Sequence, residues 1–117
     1  MKDLSSHFRV LLERELPEDA RVLAPEGGAD VILLATWRLN TDPGRPSKRS
    51  RMIRIVISEE AIKDYRRGSD GARLAGNERF LAWLKDQLRR FDPNHDAPLG
   101  VEPPGVAWAV DTRVLNG

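Results

Sequence analysis

The segment Val31-Ile32-Leu33-Leu34-Ala35-Thr36-Trp37-Arg38-Leu39 decides the fold class. Val31, Leu33, Ala35, Trp37 and Leu39 alternate with Ile32, Leu34, Thr36 and Arg38, and a period of two places each set on its own side of a β-strand. The first set is apolar throughout and the second set half so, which reads as a central strand over 31–39, buried on one face and partly covered on the other. Ile53, Ile55 and Ile57 repeat the alternation against Met52, Arg54 and Val56. Between the two runs lies Asn40-Thr41-Asp42-Pro43-Gly44-Arg45-Pro46-Ser47, dense in turn formers, so the strands are expected to pair as an antiparallel hairpin.

Outside the hairpin the period changes to that of helices. Leu4, Phe8, Leu11, Leu12 and Leu16 share one helical face, with Asp3 or Ser5 as N-cap and Pro17 as the stop. Residues 16–30 carry Pro17, Pro25, Gly27 and Gly28 and read as loop, with a short extended piece at 21–24. Ser58 predicts a second helix: its hydroxyl caps, Glu59 and Glu60 face the positive end of the helix dipole, and Ala61, Ile62 and Tyr65 form the inner side. The turn Gly68-Ser69-Asp70-Gly71 ends that helix, with positive φ expected at a glycine.

Leu74, Leu81, Leu84, Leu88 and Phe91 then predict a long third helix along one stripe, starting at Asp70 or Asn77 and stopped by Asp92-Pro93. Residues 92–105 are proline-rich and irregular. A last strand follows, with Val106, Trp108, Val110, Thr112 and Val114 on one face. The order is α-β-β-α-α-β. We read it as an α+β domain, a three-stranded sheet containing an antiparallel hairpin with helices packed on one face.

Composition bounds the rest. The chain has 117 residues, 40% hydrophobic and 32% charged, with net charge +1, which suits one folded domain over 1–117. It contains no cysteine, which excludes disulfides, thiolate nucleophiles and cysteine-ligated metals. No apolar segment follows Lys2, and the longest apolar run, 31–35, is too short to span a bilayer, so a cytoplasmic protein without a membrane partner is expected. Arginine supplies 15 of the 19 basic residues, the bias of a GC-rich bacterial genome.

The residues that carry most enzyme chemistry do not form a pattern. His7 and His95 have no sequence reason to converge, no serine sits in a Gly-x-Ser-x-Gly elbow, and no glycine-rich loop precedes a lysine to cradle phosphate. Glu59 and Glu60 are adjacent on a helix and point about 100° apart, which suits capping rather than shared acid–base work. Asp92-Pro93-Asn94-His95-Asp96 resembles the opening of a calcium loop, but Ala97 replaces the turn glycine and Pro103 the bidentate glutamate. No catalytic residue, metal or cofactor is assigned.

Charge is the least even feature. Residues 38–54 hold six basic side chains against one acidic, concentrated at Arg45, Lys48, Arg49, Arg51 and Arg54. Such a hairpin attracts a phosphate backbone or an acidic protein surface, or it is simply a solvated tip that resists edge-to-edge pairing. Trp37 and Trp108 share parity with apolar strand faces and belong to the core. Trp83 lies off the leucine stripe, at the boundary expected of a groove or a subunit contact.

The order of elements around Gly68-Ser69-Asp70-Gly71 is similar to that of type II KH domains, whose GxxG loop between two helices clamps a nucleotide backbone. The resemblance implies nucleic-acid binding at that loop, though Asp70 stands where the family tends to place a basic residue. As a whole the chain resembles small bacterial families described only as domains of unknown function, a likeness that transfers no residues. The expectation is a binding or regulatory module acting through a protein partner or by self-association. The alternatives are nucleic-acid binding through the basic hairpin 45–54 and a small enzyme without a recognisable motif.

Overall fold

In the computed structural model, residues 4–25, 28–39, 44, 48–98 and 100–117 are described. The elements run α1 (Leu4–Glu13), β1 (Arg21–Leu23), β2 (Val31–Thr36), β3 (Ile53–Ile57), α2 (Glu59–Arg67), α3 (Asp70–Arg90), β4 (Val106–Val110) and α4 (Thr112–Asn116). The strands form one four-stranded sheet in sequence order. β1 and β3 flank β2 in antiparallel register, with Leu33 opposite Ile55, while β4 runs parallel to β3, with Trp108 opposite Ile55. A parallel neighbour requires a crossover, and α2 and α3 supply it.

The hairpin and the α+β class agree with the sequence, whereas the strand count does not. The extended piece at 21–24 is a strand in its own right, because pairing Val22 with Ala35 buries Val22 on the core face. β2 ends at Thr36 rather than Leu39, and beyond it Arg38 and Arg49 form only an isolated bridge. The last strand stops at Val110 instead of continuing through Thr112 and Val114. Asp111 ends it: its carboxylate accepts from Val114 N at 3.0 Å and caps α4, so Leu115 turns inward. The expected cap Asp3 and all of 40–47 except Gly44 lie outside the described residues, and Ser5 sits inside α1 rather than capping it.

One side of the sheet makes the core. Val31, Leu33 and Ala35 of β2, Ile53, Ile55 and Ile57 of β3, and Val110 of β4 meet Phe8, Leu11 and Leu12 of α1, Ile62 and Tyr65 of α2, and Phe80 and Leu84 of α3. All four helices contribute to that side, Leu115 of α4 included. The α3 stripe is therefore not the expected one. Leu84 is buried, Leu81 and Leu88 are partly so, but Leu74 is 65% exposed, and Gly76 and Phe80 hold the inner positions.

Gly76 explains how α3 starts at Asp70 and still passes through a glycine. A β-carbon there would lie 3.0 Å from Leu115 O and 3.4 Å from the Tyr65 ring, so the missing side chain lets α4 and α2 approach. α4 is then pinned by Asn116 Nδ2 donating to Ala61 O at 3.1 Å and Thr112 Oγ1 donating to Asp64 Oδ2 at 2.6 Å.

Leu84→Ala should lose roughly 2–5 kcal/mol of stability through the cavity it leaves, and Leu74→Ala less than about 0.5 kcal/mol. Denaturant titration of the two variants checks this, and similar losses would show that α3 is rotated from the arrangement described.

Candidate functional site

Among the described residues, the basic side chains of the hairpin do not form one patch. Arg49 lies half-buried at its base, where Nε donates to Thr36 Oγ1 at 3.1 Å and Nη2 to Thr36 O at 2.9 Å. Burial, followed by the nearby charges of Arg21 and Arg38, pushes its pKa below the usual arginine value, and Asp19 opposes the shift. Arg51 reaches the opposite way. Its Nε donates to Pro104 O at 2.9 Å, Nη1 to Asp92 O at 3.3 Å, and its guanidinium lies 5.6 Å from the Phe91 ring centre. Lys48 is half-buried and its carbonyl accepts from Leu39 N, while Arg45 lies outside the described residues.

Arg49 and Arg51 thus act as clamps. Between them the backbone is held to the proline-rich strap: Arg51 N donates to Pro93 O, and His95 Nε2 donates to Arg49 O at 2.9 Å while its Nδ1 accepts from Ala97 N. Trp83 is likewise occupied. Its ring stacks on Phe80 at 5.9 Å and meets Trp108 edge-on at 6.2 Å, in a chain that continues through Phe91 to Trp37. Trp83 and Arg51 therefore border one aromatic cluster on the helix side of β4.

The glycine loop is closed on itself. Gly68 has φ −71°, outside the left-handed region, because Ser69 starts α3 at once by accepting from Ala72 N at 3.1 Å. The guanidinium of Arg73 donates to the carbonyls of Gly68 and Arg66 and to the Asp70 carboxylate. Gly71, next along, lies in the first turn of α3.

Two clusters escaped sequence reasoning. His7, Tyr65 and Asn77 meet between α1, α2 and α3: Tyr65 OH donates to Asn77 Oδ1 at 2.8 Å, and His7 Nε2 lies 2.9 Å from that oxygen and 3.0 Å from the phenol. Desolvation, the largest effect, raises the Tyr65 pKa, so the phenol stays protonated at neutral pH. A buried, protonated phenol whose hydrogen is already bonded is a pin between three helices, not a base. Among the described residues no three His, Asp or Glu side chains converge on a metal position.

The second cluster is the outward side of the sheet. Ile32 and Leu34 of β2, Val56 of β3 and the preceding Met52 are only partly buried, and Ala107 and Ala109 of β4 are exposed. None of them belongs to the core or packs against it. Ile32, Leu34, Met52 and Ala107 floor an open groove of about 660 Å³, walled by Pro25 on one side and Glu102 and Pro103 on the other. Arg54, opposite Leu34 in register, rises from the middle of this surface, and among the described residues it has neither a hydrogen-bond nor an ion-pair partner. Of the hairpin's described basic residues it is the one placed on the outward face of the sheet. The signal was present in the sequence: the outward positions of β2 and β3 include Ile32, Leu34 and Val56 beside Arg54, while every helix is needed on the other side.

No protein-family model matches this chain, and neither a curated protein nor a solved structure does. No described helix is long and apolar enough to cross a membrane.

Arg49→Ala should lower stability by about 1–2 kcal/mol, since Thr36 loses a charged donor at a half-buried position, whereas Arg54→Ala should change it by less than about 0.5 kcal/mol. Urea titration of both variants measures the difference; equal, small effects would mean that Arg49 is as free as Arg54.

Proposed function

We propose that this chain is a cytosolic binding module that works by protein–protein contact through the open face of its sheet. The observation that carries the reading is an apolar sheet face with the Arg54 guanidinium at its centre, the face uncovered and the guanidinium without a partner among the described residues. Outward positions of a one-sided sheet are ordinarily polar, and contiguous exposed apolar surface marks contact sites. A guanidinium set among apolar side chains selects a carboxylate in a fixed orientation while the floor supplies area. The partner is therefore a protein segment that presents a carboxylate flanked by apolar side chains.

The nucleic-acid alternative has less support. Arg49 and Arg51 spend their donors on backbone carbonyls and on Thr36, the Gly68 carbonyl and the Asp70 carboxylate are taken by Arg73, and the net charge of +1 gives little general attraction to phosphate. Among the described residues no group is poised to react, so the enzymatic alternative has less support.

A displayed random-peptide library panned on the immobilised protein tests the proposal. Enriched peptides should combine an Asp or Glu with apolar neighbours, and panning on Arg54→Glu should exchange that acidic preference for Lys or Arg. Absence of enrichment, or an enriched set indifferent to Arg54→Glu, would overturn the reading. Salt-sensitive binding of a labelled oligonucleotide, lost in Arg49→Ala with Arg51→Ala, would replace it with the nucleic-acid reading.

A further inference from the structure

β4 is the last strand of the sheet, and among the described residues no backbone pairs with its outer edge. Toward β3 its backbone is paired, as Val106 N donates to Met52 O at 2.9 Å and Val110 O accepts from Ser58 N at 3.1 Å. Backbone groups alternate along a strand, so the N–H and C=O of Ala107 and Ala109 point away from the sheet. Both residues are exposed, and among the described residues these groups have no partner. The strand Val-Ala-Trp-Ala-Val carries no charge, proline or bulge, the devices that keep an edge from pairing. The opposite edge has such protection: β1 is three residues long, begins with Arg21 and is followed by Pro25.

We infer that β4 pairs antiparallel with β4 of a second copy of this chain, about a two-fold axis at Trp108, so that two four-stranded sheets become one. The inference stands apart from the open face, since it rests on the edge atoms alone. The strand is self-complementary in that register. Ala107 falls opposite Ala109 of the second copy, both with outward backbone groups, so each such pair exchanges its two N–H···O bonds. Trp108 then meets its own counterpart at the closely spaced, non-hydrogen-bonded position, and Val106 meets Val110, so apolar faces apolar throughout. Alanine at the outward-facing positions leaves room on the open face.

Charge selects the same direction. Exposed Asp111 follows the C-terminal end of β4, while Arg51 and Arg90, against the single carboxylate of Asp92, border a shallow groove beside Val106 and Trp108. Antiparallel pairing brings Asp111 of one copy to the basic end of the other. A two-fold contact of this kind also closes on itself, which leaves no free β4 edge for further growth.

The absence of native cysteine makes the register testable. Opposed Cα atoms in a hydrogen-bonded pair sit about 5.5 Å apart, within disulfide range. Ala107→Cys and Ala109→Cys proteins, mixed and oxidised, should cross-link to each other in preference to either with itself. Sedimentation of the unmodified chain should give twice the 13.2 kDa monomer mass. Ala109→Pro should weaken the dimer by at least about tenfold, while leaving the monomer folded, because that N–H serves no bond within the chain. A monomer at every concentration, cross-linking without preference for the mixed pair, or a dimer insensitive to Ala109→Pro would overturn the inference.

Discussion

The parallel pairing of β3 with β4 is the constraint on which the rest of the molecule depends. Two antiparallel strands need only a turn, but a parallel pair needs a long connection that returns to the same end of the sheet. Here α2 and α3 provide it, and both lie on the side of Ile53, Ile55 and Ile57, each fully buried. α1 fills the remaining space on that side against β2, and α4 closes the end over Gly76. With every helix spent on one face, nothing described is left for the other. The open face, the exposed Ala107–Ala109 edge and the position of Arg54 all follow from that allocation.

The same constraint explains why the arginines divide. Residues 48–51 lie where the hairpin, the end of β2 and the proline-rich strap converge, and a junction of irregular segments leaves carbonyls that the sheet does not satisfy. Arg49 and Arg51 satisfy carbonyls of Thr36, Asp92 and Pro104. Guanidinium suits this task, because its fixed fork serves two acceptors at once and its plane lies against a ring such as Phe91. Arg54, only three residues on but inside a regular strand whose backbone is already paired, has no such duty.

Periodicity made much of this legible. The alternation in 31–39 and 52–57 gave the hairpin and its buried face, and Ser58 with Glu59 and Glu60 gave the start of α2. What failed were the places where local chemistry competes with pattern. Val106 to Val114 alternates without a break, yet the Asp111 carboxylate turns the chain into α4. Gly76 argues against an early helix by propensity, and only the approach of Leu115 and Tyr65 explains its presence in α3. The basic hairpin drew attention as a cluster in sequence, although side-chain direction sends Arg49, Arg51 and Arg54 to three different surroundings. Ile32, Leu34 and Val56 were visible as outward apolar residues, but their meaning depends on counting helices against faces, which is a property of the whole topology.

The central claim is that the sheet has one covered and one accessible apolar face. Methyl relaxation by a soluble, uncharged gadolinium chelate measures this directly. The methyl groups of Ile32, Leu34 and Val56 should relax strongly as the agent is added, while those of Leu33, Ile53 and Ile55, at the same level of the sheet on its other side, should not. Equal protection of Ile32 and Leu33 would contradict the account, since it would place another part of the chain over the face described as open.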